Sequence, residues 1–63
     1  MGERIRIILQ REEKGVVLIN EIFEFQPKKN KDGNFNKFTQ RILMQAIDWC
    51  LAGNSAVIES VPE

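Results

Sequence analysis

The sequence predicts an α+β fold: a small three-stranded, mainly antiparallel sheet in the chain order β-β-α-β, with one amphipathic helix packed on one face. Three observations carry this prediction. Apolar and polar residues alternate near the start of the chain, a run rich in β-branched and aromatic residues follows a glycine, and a helical pattern begins near residue 37. A chain of 63 residues has room for one hydrophobic core. We therefore expect a single domain over residues 1–63.

The first strand is predicted over residues 4–10. Its alternation places three apolar side chains on one face, Ile5, Ile7 and Leu9, and three polar side chains on the other, Arg4, Arg6 and Gln10. Residues 11–15 are charged and end on a glycine, which is typical of a longer hairpin loop. The next strand is therefore expected to run back antiparallel to the first.

The second strand is predicted over residues 16–25, where β-branched and aromatic residues dominate. Asn20 and Glu21 interrupt this run and indicate a bulge or a bend. Pro27 ends the strand. Because ten residues exceed what the first strand can pair, the end of the second strand from Ile22 to Phe25 is expected to find another partner or to overhang, and the overhang is a candidate contact surface.

The second half of the chain is predicted as a loop, a helix and a strand. Residues 26–35 are polar and basic and form the predicted flexible loop. Asn36 is the expected N-cap of a helix over residues 37–52, which ends before Gly53. Residues 55–61 form a short third strand. A right-handed crossover places this strand beside the first strand and parallel to the second.

The predicted helix is apolar around most of its circumference. A narrow polar stripe carries Lys37, Arg41, Gln45 and Asp48, and the remaining arc of roughly 240° is wider than one sheet face covers. Phe38, Trp49 and Cys50 are assigned to the core side of the helix. The width of the arc predicts that a further partner covers part of it.

Apolar side chains are also expected on both faces of the sheet. Seven apolar side chains are expected to face the helix: Ile5, Ile7, Leu9, Val17, Ile19, Phe23 and Phe25. Four residues of the hairpin then collect on the outer face: Ile8, Val16, Leu18 and Ile22. Phe23 and Phe25 at the overhang join this predicted protein interface. The alternative is a bulge at residues 20–21 that switches faces and brings some of these side chains inward.

The charges are balanced overall but unevenly placed. Nine basic and nine acidic residues give a net charge of zero, which argues against a uniformly basic DNA coat or an acidic DNA mimic. Five basic residues nevertheless fall in one segment beside a single acidic residue: Lys28, Lys29, Lys31, Lys37 and Arg41. With Phe35 as a stacking platform, they form a candidate nucleic-acid contact. The alternative is a loop kept soluble by its lysines, with Phe35 as a hydrophobic staple of the helix.

The sequence contains no recognisable catalytic or metal-binding pattern. It has no histidine, its glycines are isolated, and Cys50 is expected to be an inert core residue. Residues 32–34 lack the remaining ligand spacing of a calcium loop. We therefore predict no catalytic residue, no metal and no cofactor. The chain is accordingly expected not to be an enzyme.

The combined interpretation is a cytoplasmic protein-interaction module. The first residues predict neither a signal peptide nor a membrane span, and one cysteine excludes an internal disulfide. We expect a homo-oligomer, most simply a dimer formed by pairing the edge of the second strand or by stacking outer sheet faces. The chain then acts on an unidentified protein as a small regulator, adaptor or inhibitor of the kind that phages and mobile elements encode. The alternative function is nucleic-acid binding through the basic residues between 28 and 41.

Overall fold

The computed structural model describes residues 3–62, so Met1, Gly2 and Glu63 of the predicted domain lie outside the described residues. The chain forms β1 (Arg4–Glu13), β2 (Val16–Phe25), α1 (Lys37–Leu51) and β3 (Ser55–Val61). The sheet order is β2-β1-β3, and β1 is antiparallel to both neighbours. β3 therefore runs in the same direction as β2, and the predicted fold class and the predicted place of the third strand beside the first are confirmed.

The β1–β2 connection is a tight two-residue turn rather than the predicted longer loop. β1 continues to Glu13, three residues beyond its predicted end, and Lys14 and Gly15 have φ values of 52° and 79°. Two successive positive φ values are those of a type I′ turn, whose twist matches that of the flanking strands. The charged residues before the turn can join a strand because both faces of the hairpin are solvated there.

The predicted overhang of β2 is wrong. Phe25 lies opposite Ile5, and Phe23 lies opposite Ile7, while the other end of β2 pairs with the extension of β1. The extra length of β1 supplies partners for the whole of β2. Phe23 and Phe25 are therefore paired residues inside the sheet.

The interruption in β2 is a β-bulge, which is one of the two interpretations of Asn20 and Glu21 and the alternative that switches faces. Leu9 is opposite Glu21 and Gln10 is opposite Ile19, which leaves Asn20 without a residue across from it. One additional residue in one strand reverses the face on which every following side chain lies. The bulge therefore divides the hairpin into two parts with opposite side-chain alternation.

Side-chain and backbone hydrogen bonds define both ends of α1. Asn36 is the N-cap, and its side-chain oxygen accepts a 2.9 Å hydrogen bond from the Thr39 backbone N–H. At the other end Gly53 has a φ of 94° and its N–H donates to the Cys50 carbonyl.

The basic loop has structure of its own, because Lys29 and Phe35 form an isolated β-bridge. Its flexibility stays a prediction.

The core lies between α1 and the adjoining part of the sheet. Its buried hydrophobic side chains are Ile7, Leu9, Phe25, Ile42 and Ala46. The polar side chain of Thr39 is also buried, and its hydroxyl accepts a hydrogen bond from the Lys28 backbone N–H at 3.3 Å.

The core placement of Phe38 and Cys50 is wrong. Phe38 is 62% exposed, and Cys50 is also exposed. The buried line of α1 runs through Thr39, Ile42 and Ala46. Thr39 can be buried because its hydroxyl accepts the hydrogen bond from the loop. With Thr39 facing the sheet, Phe38 lies at the side of the contact between helix and sheet.

Candidate functional site

The described structure exposes more large hydrophobic side chains than it buries. Eleven large hydrophobic residues of the described chain are exposed, whereas five hydrophobic residues form the buried core. The accessible surface is 5001 Å², against about 4,200 Å² expected for a compact monomer of 7.3 kDa. The radius of gyration is 13.2 Å, and about 10.6 Å is expected for this length. The chain therefore carries roughly 800 Å² of surface beyond that of a compact monomer.

The outer face of the sheet has an apolar row beside a charged row. Ile22, Ile8 and Val57 lie opposite one another across the three strands. In the neighbouring row, Arg6 Nε is 3.2 Å from Glu24 Oε2 and Arg6 Nη1 is 3.3 Å from Glu59 Oε1. Hydrogen bonds to Glu59 and Glu24 raise the pKa of the Arg6 guanidinium. The charged row thus links both edge strands to β1, while the apolar row stays uncovered.

The bulge changes which side chains of β2 belong to this outer face. Ile19 lies opposite Gln10 and Val17 opposite Glu12, so both join Ile22 on the outer face, and their expected place on the helix-facing side is wrong. Two of the predicted outer-face residues, Val16 and Leu18, lie on the other face, and their assignment to the outer face is wrong. Since α1 does not reach that part of the hairpin, Val16 remains exposed there.

Of the six predicted interface residues, Ile8 and Ile22 are together on the outer face. Phe23 packs against the core and Phe25 is only 5% exposed within it. Both phenylalanines therefore stabilise the contact between sheet and helix in this chain. The residues that sequence reasoning missed are Val17, Ile19 and Val57 on the outer face. The interruption of the apolar run at Asn20 is the sequence signal for the first two, because a bulge there turns Val17 and Ile19 to the outer face.

The two flanks of α1 differ in polarity. On the side of β2, Gln45 and Asp48 face Asn20 and Glu21 across a depression of about 390 Å³ that has both polar and apolar walls. On the side of β3, an apolar groove of about 320 Å³ is lined by Ala46, Ile47, Cys50, Leu51, Ala56 and Ile58. Leu51 is 80% exposed and Ile58 is 63% exposed. The excess apolar arc predicted for the helix therefore lies beside the free edge of β3.

The predicted nucleic-acid residues lie in the loop and along the first half of α1. Lys37 and Arg41 line a shallow depression with Gln40 and Met44. The loop returns to the start of the helix, because the Asn36 N–H donates to the Lys28 carbonyl at 2.8 Å. Within residues 3–62, none of Lys28, Lys29, Lys31, Lys37 and Arg41 forms a salt bridge. The structure thus presents five basic side chains without a neutralising partner among the described residues.

Phe35 does not act as a hydrophobic staple. The residue four positions into the helix is Gln40, whose side-chain amide donates a hydrogen bond to the Phe35 carbonyl at 2.6 Å. The Lys29 ammonium lies 5.5 Å from the centroid of the Phe35 ring. A nucleic-acid base that stacks on this ring has to displace Lys29 or use the opposite face.

Metal-binding and membrane-spanning features can be examined over the same residues. Between residues 3 and 62, no group of three or more metal-ligating side chains comes together. In that part of the chain no helix has both the length and the hydropathy needed to cross a membrane.

The chain was compared with protein-family models, with curated proteins and with solved structures. None of the three comparisons finds a significant match.

Proposed function

We propose that this chain is a non-enzymatic protein-interaction module that self-associates, most simply as a homodimer. The observation that supports it is the exposed apolar surface, which occupies the outer sheet face, the hairpin and one flank of α1. Exposed apolar side chains that gather on the surface of a small protein usually mark interaction sites.

In this proposal the module acts in the cytoplasm as a small regulator, adaptor or inhibitor that masks the surface of another protein. The outer-face row of Ile22, Ile8 and Val57 is the surface proposed for that partner. Its apolar centre and the charged row through Arg6 beside it resemble the apolar core and polar rim of ordinary interfaces.

Self-association is tested by sedimentation equilibrium over a series of protein concentrations. We expect a mass of twice 7.3 kDa at high concentration, with dissociation in the micromolar range typical of about −8 kcal/mol of binding free energy. Because apolar burial drives the association, added salt should not weaken it. A mass that stays at 7.3 kDa up to about 1 mM protein contradicts the proposal, since even weak specific interfaces associate there.

A second candidate function, nucleic-acid binding, is supported by the unpaired basic side chains of the loop and α1. Reversing the loop charges with Lys28→Glu, Lys29→Glu and Lys31→Glu should abolish binding of a single-stranded oligonucleotide at about 50 mM salt. The wild-type affinity should fall steeply by about 200 mM salt, as counterion release requires. Fluorescence anisotropy of a labelled oligonucleotide measures both effects.

Lys14→Glu is a control outside the basic segment, and the single variant Lys29→Glu is its equal in charge inside it. Lys14→Glu should leave oligonucleotide affinity within about threefold of wild type, because a single exposed charge outside the patch contributes little. Wild-type protein that does not bind at low salt, or a triple variant that binds as tightly as wild type, excludes the loop as the contact.

A further inference from the structure

We propose that the partner in self-association is a second copy of this chain docked on the free edge of β3 and on the adjoining flank of α1. This inference rests on the proposed self-association and names its surface. Two β3 strands then pair antiparallel about a two-fold axis, giving one six-stranded sheet with both helices on the same face. The docking surface is defined by Ile47, Cys50, Leu51 and Ile58 together with the edge of β3.

The two edges of the sheet differ in their protection against pairing. β2 carries the bulge at Asn20, and Glu21 beside it places a charge on the helix-facing side of the sheet. Bulges and inward-pointing charges are the devices by which proteins block edge-to-edge pairing. The described part of β3 pairs with β1 in a continuous register without a bulge. β3 is therefore the open edge, whereas β2 was the edge expected from the sequence.

Charge does not oppose the approach of a second copy at β3. Glu59 is the strand's only charged residue, and its carboxylate lies 3.3 Å from the Arg6 guanidinium on the outer face. The apolar groove beside β3 is lined entirely by uncharged residues. Two identical surfaces can therefore meet without juxtaposing uncompensated like charges, as an isologous two-fold interface requires.

The exposed flank of α1 favours a second copy over a single extended peptide. A strand added beside β3 satisfies the backbone groups of the edge and lies next to Ile58. Ile47 and Leu51 belong to the helix layer above the sheet, and both are exposed. A second copy brings its own α1 with the same uncovered flank. Each helix then covers the other, and the groove closes on both sides.

The open edge of β3 and the apolar side chains beside it form an extended contact surface. Seven residues of β3 span about 23 Å at 3.3 Å per residue. Ile47, Leu51 and Ile58 are 52%, 80% and 63% exposed beside this edge, so an apolar strip accompanies the open backbone of the strand.

The test compares lysine substitutions on and off this surface. Leu51→Lys and Ile58→Lys should each weaken dimerisation at least about 100-fold in sedimentation equilibrium, because each buries an unpaired charge. Ile19→Lys is the control, since Ile19 is 59% exposed but lies on the outer face. It should change the dissociation constant by less than about threefold, as expected for a substitution outside an interface.

The thiol of Cys50 gives a second measurement on the wild-type protein, which needs no variant to fold. This exposed thiol lies in the groove, so dimerisation should protect it from alkylation. As the protein concentration rises, the alkylation rate should fall in proportion to the fraction of protein that is still monomeric.

Circular dichroism checks that each lysine variant is folded. If a variant unfolds, the Cys50 measurement decides.

The outcomes separate this inference from the proposed function. A wild-type dimer that survives both Leu51→Lys and Ile58→Lys, or whose Cys50 reacts at the same rate as in the monomer, overturns docking at β3 and leaves self-association standing. Loss of the dimer in Ile19→Lys alone assigns the interface to the outer face and also overturns it. A wild-type protein that stays monomeric removes both proposals.

Discussion

Ile7→Ala should lower the free energy of unfolding by about 3 kcal/mol or more, within the range for truncating a buried isoleucine. Ile7 is 0% exposed, lies at the centre of β1 and pairs with residues of both neighbouring strands. The loss has a large effect here because a domain of 63 residues has a total stability of only about 3–9 kcal/mol. Urea denaturation followed by circular dichroism, at one fixed protein concentration, measures it.

Ile22→Ala is the matched control for this prediction. It removes the same atoms from the same sheet, but from the outer face, where Ile22 is 51% exposed. We expect a loss of about 1 kcal/mol or less at a protein concentration at which the chain is monomeric, because less apolar surface returns to water and no cavity forms. Equal losses in the two variants would contradict the assignment of the core to the helix-facing side.

Trp49→Ala should cost about 2–4 kcal/mol of unfolding free energy, near the lower end of values for tryptophan truncation because the ring is only partly buried. The ring packs against the core. Its Nε1–H also donates to two carbonyl oxygens, to Gln10 at 3.0 Å and to Ser55 at 2.9 Å. Gln10 and Ser55 are the last pair of the β1–β3 ladder. Trp49 therefore binds the end of α1 to the end of the β1–β3 ladder, beyond which only β1 and β2 continue.

Trp49→Phe separates the two contributions of this side chain. It retains an aromatic ring but removes the donor, so we expect a loss of about 1–2 kcal/mol, consistent with hydrogen bonding at a partly buried site. Because Trp49 is the chain's only tryptophan, unfolding has to be followed by circular dichroism. A Trp49→Phe variant as unstable as Trp49→Ala would mean that the indole N–H, rather than ring packing, holds the helix end.

Much of the fold was predictable from local patterns in the sequence. The alternation around Ile7, the cap at Asn36 and the glycine after the helix each specify a local structure, and all three are present in the described chain. The β-bulge was predictable for the same reason, since Asn20 and Glu21 interrupt an otherwise apolar strand. The charged residues after Gln10 were predicted as loop because sequence pattern does not reveal that a two-residue turn at Lys14 and Gly15 is available.

The location of the candidate site was less predictable. The wide apolar arc of α1 and the apolar outer face were visible in the sequence, but the edge of the sheet beside that arc was not. Rotation of the helix about its axis depends on which side chain the sheet and the loop together bury. Here the hydrogen bond from the Lys28 N–H to Thr39 makes a threonine part of the core, which leaves Phe38 outside it.

Local sequence patterns specify the order of the elements, the residues that start and end the helix, and the excess of apolar residues over what one small core can bury. Tertiary structure alone decided which surface is left open. The strand register, with one bulged residue, assigned Val17 and Ile19 to the outer face, and the packing of α1 turned Ile47 and Leu51 toward β3. Local sequence encodes periodicity, whereas the uncovered surface depends on contacts between residues far apart in the chain.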